Sequence, residues 1–193
     1  MNKIETIEEF YQRKFDWIPD NIRNEIGHFN VFEHEPIETG KAQPLRYKRR
    51  DFYKIMLVVG NINMNYADRV VSVKKQALVF SNPLIPYNCE NLERIENGLY
   101  CIFNQHFFHK FGDLNQYSLF QPGGNHVFEL SDEQVQQITC IYHRMFVEIK
   151  SDYIHKYDVL RNLVFELLHF AMKTQLPTHT EKQQTNASKR ISV

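Results

Sequence analysis

A chain of 193 residues, 42% hydrophobic and 24% charged, holds enough apolar material for one packed domain and too much for a disordered one. Its 23 basic residues balance 23 acidic ones. A domain that grips a nucleic-acid backbone by itself carries a basic excess, so binding DNA unaided is not expected. Cys89, Cys101 and Cys140 are odd in number, widely spaced and form no Cys-x-x-Cys pair, which reads as thiols of a reducing compartment. Met1 to Glu5 leads into acidic residues and not into a secretory apolar core, and no apolar run nears the roughly 18 residues of a membrane span. The expectation is a soluble, cytoplasmic protein.

In chain order, Thr6 and Glu9 have capping-box spacing, and Ile7, Phe10, Tyr11 and Lys14 recur at helical intervals, predicting a short helix over 7–14 that stops before Pro19. Residues 1–20 thus read as an arm whose helix covers a sheet edge. Residues 28–34 alternate in part and predict the first strand. Pro36 and the stretch from Gly40 to Pro44 predict a loop. A long strand over 50–59 follows, then a turn at Asn61–Asn63. Short strands at Met64–Tyr66 and Arg69–Val73 flank a bend at Ala67–Asp68. Lys74–Gln76 turns the chain into a strand at 77–81, which ends on Ser-Asn-Pro and then Ile-Pro-Tyr. A polar hairpin leads to a strand at 98–103. Asn104 and Gly112 bracket an expected short helix that docks Phe107, Phe108 and Phe111. A loop around Pro122-Gly123-Gly124 precedes a last short strand ending near Phe128. Strands at this spacing, separated by polar turns, predict an antiparallel barrel or sandwich over 21–130 and not βαβ units.

At Ser131 the period changes. Ser131 and Gln134 form a second capping box, and Val135, Ile138, Tyr142, Met145 and Ile149 recur at intervals of three and four. A second helix, from Tyr157 to Lys173, places Tyr157, Leu160, Val164, Leu167 and Ala171 on one seam and Val159, Leu163, Phe165, Leu168 and Phe170 elsewhere on its circumference. A helix so broadly apolar exceeds what one sheet covers, so the segment 131–173 is expected to dimerise through the 157–171 seam, a homodimer being the expected assembly. The other reading is a helix buried inside one copy. Residues 174–193 lose apolar content and read as a linker toward a domain this chain lacks.

The runs Arg50-Asp51-Phe52-Tyr53-Lys54-Ile55, Ala77-Leu78-Val79-Phe80-Ser81-Asn82-Pro83 with Ile85-Pro86-Tyr87, and Gly98-Leu99-Tyr100-Cys101-Ile102-Phe103-Asn104 resemble the N-terminal sensor domain of AraC-family transcription regulators, in the form found in Bacteroidetes-type bacteria. By element order the resemblance spans roughly residues 5–193, and the Phe-Ser-Asn-Pro strand end is its most distinctive part. It implies a cupin-like, jelly-roll barrel that can hold a small effector, helices that dimerise, and a C-terminal pair of helix-turn-helix units that read DNA. No such pair follows here, in keeping with the neutral charge.

The chemistry carried by the residues points to binding and not to catalysis. A metal-dependent cupin brings two imidazoles one residue apart together with a carboxylate and a third histidine. None of the nine histidines here makes His-x-His; His106 and His109 sit at i, i+3, and His28 and His34 bracket an edge strand. No metal and no cofactor is expected. There is no Gly-x-Ser-x-Gly elbow, and Gly123-Gly124 lacks a phosphate-loop context. The candidates for lining a ligand pocket are Tyr53, Lys54, Phe80, Tyr87, Tyr100 and Phe103. The sequence leaves open whether Tyr53, Ile55 and Leu57 or Phe52, Lys54 and Met56 face inward, and whether the interior is hollow. Lys54 could offer its charge to a carboxylate ligand. The competing readings are a cupin enzyme, with or without metal, and an interaction module with a closed core.

Overall fold

The computed structural model describes residues 4–23, 27–34, 49–66, 69–90, 95–108 and 111–174. The expected loop at 36–44, the bend at Ala67–Asp68, residue His109 and the tail beyond Thr174 lie outside the described residues.

The chain is mainly β, built of antiparallel sheets and closed by C-terminal helices. Helix α1 (Ile7–Phe15) starts at the expected capping box: Thr6 Oγ1 accepts from the Glu9 amide and Glu9 accepts from the Thr6 amide, 3.2 Å each. It ends at Asp16 in the left-handed region, φ 51°. Ahead of it, β1 (Ile4–Glu5) lies parallel to β3 (Arg49–Arg50), a pairing for which the sequence shows no signal. Strands β2 (Phe29–Glu33), β4 (Tyr53–Gly60), β7 (Gln76–Ser81), β9 (Ile95–Phe103) and β10 (Val127–Glu129) form one sheet in the order β10-β7-β4-β9-β2. Strands β5 (Ile62–Tyr66), β6 (Val70–Val73) and β8 (Tyr87–Glu90) form a second, in the order β6-β5-β8.

Two expectations need correction. The expected turn at Asn61–Asn63 is a bend and not a reversal: Gly60, at φ 141°, kinks the chain from one sheet into the other, and β4–β5 faces β6–β7 in one unbroken register, Val59 opposite Gln76 and Ile62 opposite Val73. Only glycine reaches that φ without strain. Ile85-Pro86-Tyr87 also does more than turn the chain. Pro86 ends the turn, and Tyr87 to Glu90 add a strand paired with β5. The expected helix at 104–112 begins as a short 3₁₀ turn, Gln105–Phe108, with the Asn104 carbonyl oxygen of the side chain accepting from the amides of His28 (3.0 Å) and Phe107 (3.2 Å). Helix α2 (Asp132–Ile149) opens on the Ser131–Gln134 capping box, and α3 (Lys156–Thr174) follows after a short connection.

The five-stranded sheet is a shared wall. Along β4, Tyr53, Ile55 and Leu57 join Leu78, Phe80, Cys101 and Phe103 in a core completed by α2 and α3. The alternate residues Met56 and Val58 join Val79, Tyr100 and Ile102 in a second core, against Ile62, Met64, Tyr66, Tyr87 and Cys89 of the small sheet and Ile7, Phe10 and Tyr11 of α1. Both faces of the sheet are therefore dry, which is why β4 and β7 read as continuous apolar runs. Leu160, Val164, Leu167 and Ala171 of the expected dimer seam are fully buried in the chain's own helix-side core, while Tyr157 is half-buried and packs edge-on against Phe107 at 6.5 Å. The seam is thus covered by the chain itself: α3 presents it to α2 and the sheet, and Leu163 and Leu168 are buried with it.

Candidate functional site

The alternation of β4 divides the six pocket candidates between two compartments. Tyr53, Phe80 and Phe103 face the helices, where the Tyr53 and Phe103 rings stack at 5.4 Å and Phe120 meets Tyr53 and Phe80 edge-on. Lys54, Tyr87 and Tyr100 face the space between the sheets. The first three are packing residues of the helix-side core. The last three belong to one cluster.

Lys54 leaves β4 in phase with Met56, and register brings Tyr100 of β9 opposite Met56. The ammonium Nζ lies 4.2 Å from the centre of the Tyr100 ring. On the same ring lies Nζ of Lys14 from α1, 4.8 Å from its centre and hydrogen-bonded to the Tyr100 hydroxyl. Phe32 stacks on Tyr100 at 5.1 Å and Phe15 stacks on Phe32 at 5.2 Å, so a row of rings runs from the inter-sheet space out along α1. A cation on an aromatic face gains about 0.5–2 kcal/mol, more as water is withdrawn, but keeps its full charge.

Arg50 supplies the second interior cation. Its guanidinium lies over Tyr87, 4.8 Å from the ring centre, and its Nε stands 3.2 Å from Glu5 Oε2, the contact that accompanies the β1–β3 pairing. Glu5 Oε1 also accepts from Arg13 Nε at 2.8 Å. Among the described residues, Nη1 of Arg50 is buried with no hydrogen-bond partner. A buried donor left unmatched costs about 1–3 kcal/mol, more on a charged group, so it marks a place where an acceptor is missing. Cys89 of β8 completes the group, its Sγ 3.1 Å from Met64 Sδ, with its thiol pushed up by burial against the opposing pull of Lys54 and Arg50.

The electrostatics follow from the packing. Burial, reinforced by Arg50, lowers Lys54 from 10.5 to about 7; Cys89 acts the other way, and Lys14 and Arg13 add to the lowering. A lysine with that value is about half-charged at neutral pH. Arg50 is held in its charged form although burial opposes it, because the Tyr87 phenol and Glu5 outweigh the burial. Lys14, Arg50, Lys54 and Arg13 thus converge on a region whose carboxylate is Glu5.

The histidines have structural surroundings. His28 is buried with Nε2 2.7 Å from the Tyr11 hydroxyl, and burial pushes its imidazole down to about 4, so it ties α1 to β2 as a neutral ring. His126 Nδ1 sits 2.8 Å from the Leu119 carbonyl. His106 is exposed, and among the described residues no three His, Cys, Asp or Glu side chains converge in a way that would hold a metal. Cys101 is buried and raised to about 12 by burial, which makes it a core residue and not a nucleophile. On the helix side, a depression of about 220 Å³ is lined by Tyr53, Gln105, Phe108, Gly112, Asp113 and Leu114, with the Tyr53 hydroxyl donating to Asn115 Oδ1 at 3.3 Å.

Sequence reasoning found Lys54, Tyr87 and Tyr100 but missed Arg50, Lys14 and Glu5. Arg50 and Lys54 are an even number of residues apart in an extended run, a weak signal that both share a side. Nothing local announces that Lys14 or Glu5 reaches them. No protein-family model matches the chain, and no curated protein compared with it is similar.

Proposed function

We propose that this chain is the effector-sensing and dimerisation part of an AraC-type transcription regulator. Its two sheets act as a cupin-like jelly-roll shell, a small ligand binds between them, and DNA is read by helix-turn-helix units carried elsewhere in the full regulator. It is a binding domain and not an enzyme in this reading: the interior cluster offers cations and aromatic faces that can hold a ligand.

The observation that supports the reading most is the double duty of β4. Lys54 projects toward the inter-sheet space and α1, while the next residue, Ile55, turns its side chain to the helices and accepts a hydrogen bond on its carbonyl from the Tyr142 hydroxyl of α2 at 2.8 Å. A ligand that changes how β4 sits has only one strand to move before α2 responds, and it shifts the equilibrium by its difference in affinity for the two states. Since the 157–171 seam is covered by the chain itself, a second copy would meet the end of the helix pair, where Val147 of α2 and Tyr153 and Ile154 of the connection to α3 are 72%, 54% and 84% exposed.

Hydrogen exchange on the protein with and without candidate effectors tests the relay. A ligand that raises the melting temperature should also change protection of the α2 amides around Tyr142. Sedimentation tests the other half, and a strict monomer at high concentration would remove dimerisation from the proposal.

A further inference from the structure

We infer that the inter-sheet cluster is a receptor for the carboxylate of a small organic acid, which Arg50 and Lys54 hold between them. The inference rests on the sensor reading above and adds the chemical class of the ligand.

Three observations carry it. The first is the unmatched donor: among the described residues Nη1 of Arg50 is buried without a hydrogen-bond partner, while Nε of the same guanidinium is taken up beside Glu5. A guanidinium donates in several directions at once, and the idle arm, on the side of the group away from the engaged Nε, can donate to the oxygen of a second carboxylate. The second is Lys54, whose ammonium finds a ring face at 4.2 Å and, among the described residues, no carboxylate. Interior cations are normally paired with an acidic group. The third is the sign of the surroundings. Arg50 on β3, Lys14 and Arg13 on α1 and Cys89 on β8 are the titratable and charged groups that act on Lys54, and of these only Cys89 opposes the cations. Glu5, the acid of the cluster, is engaged with Arg50 and Arg13.

The arrangement favours a carboxylate over a phosphate ester or a sugar. A sugar is held mainly by neutral donors and acceptors, whereas the dominant groups here are the cations Arg50 and Lys54 on the Tyr87 and Tyr100 faces, with Glu5 already engaged. A phosphate dianion would require withdrawing more charge from water than a half-charged lysine and one arginine arm offset. A monoanion with an apolar body suits both the cations and the row Tyr100, Phe32, Phe15. Binding would also restore the charge on Lys54, because an adjacent anion favours the ammonium form, so the complex takes up protons above neutral pH.

The test uses the whole chain with benzoate and hexanoate as probes and benzamide and hexanol as their neutral counterparts. Melting temperature and calorimetry are followed at pH 7.5 in two buffers of different ionisation enthalpy, with hydrogen exchange on the same samples. The expected result is that the carboxylates raise the melting temperature, their neutral counterparts do not, and binding takes up a fraction of a proton. Lys54→Met should weaken carboxylate binding at least tenfold and abolish the proton uptake. Lys54→Arg should retain binding without proton uptake, which separates loss of charge from loss of fold. Stabilisation by the neutral compounds and not by the acids, or equal carboxylate affinity in Lys54→Met, overturns the ligand class and leaves the sensor reading in place. Carboxylate binding with α2 protection unchanged supports the ligand class and counts against the sensor reading.

Discussion

Lys54→Met isolates the cost of placing a cation between the sheets. Lys54 has an ordinary value of 10.5 and is lowered to about 7 in the folded chain, mainly by burial. Between these values the unfolded chain holds the proton and the folded chain does not, so stability rises with pH across that window. Below about 7 both states are protonated and the cost is complete; above about 10.5 neither is, and it vanishes. The full difference is about 5 kcal/mol, at roughly 1.4 kcal/mol per unit, and the part released between pH 6 and pH 9 is about 2.5 kcal/mol. For a chain of this size that corresponds to roughly 5–10 °C in melting temperature. Methionine keeps the length of the side chain and carries no charge. Lys54→Met should therefore be more stable than the parent at pH 6, with the advantage shrinking by about 2.5 kcal/mol by pH 9. Urea unfolding at several pH values, with no ligand present, measures both curves. Parallel curves for parent and variant would refute the reasoning, since they would mean that Lys54 keeps its solvent-exposed titration in the folded chain.

Four further outcomes are expected. Tyr142→Phe removes the 2.8 Å hydrogen bond to the buried Ile55 carbonyl, beside which the Cys101 thiol also bonds the Ile55 backbone, and should cost about 0.5–1.5 kcal/mol in urea unfolding. Leu167→Ala opens a cavity in the helix-side core and should cost about 2–5 kcal/mol, with a loss independent of protein concentration, whereas a residue of a dimer seam would show a concentration-dependent loss. Gly27→Ala places a Cβ 2.2 Å from the Phe107 amide nitrogen at φ 81°, so thermal unfolding should show a loss of about 2 kcal/mol or more. Ser131→Ala removes the side-chain acceptor of the Gln134 amide and should lower stability by about 1 kcal/mol, read most directly as faster exchange in the first turn of α2.

What could be read locally was decided locally. The two capping boxes, the change from a two-residue to a helical period at Ser131 and the apolar runs of β4, β7 and β9 depend on neighbours within a few residues; the capped helices start where expected, while the strand expected at 50–59 divides into β3 and β4 and β9 begins at Ile95, ahead of the expected Gly98. The strand Tyr87–Glu90 was hidden because prolines precede it and its apolar content is low; pairing with β5 defines it. The phase of β4 was beyond reach for a different reason. A strand buried on both faces carries no alternation, so Tyr53 and Lys54 were equivalent in sequence until two separate cores assigned one to the helices and the other to the inter-sheet space.

The apolar seam of α3 was legible as a stripe, but a stripe does not say what covers it. In the folded chain α2 and the five-stranded sheet do. The candidate site shows the same division most clearly. Local pattern alone determined the caps, the helices and the apolar runs of the central strands, and composition the net neutrality. That Arg50, Lys54 and Lys14 meet around Tyr87 and Tyr100 was decided by tertiary structure, because the parallel β1–β3 contact and the docking of α1 join residues 5, 14, 50, 54, 87 and 100, whose separations along the chain encode nothing about their distance in space.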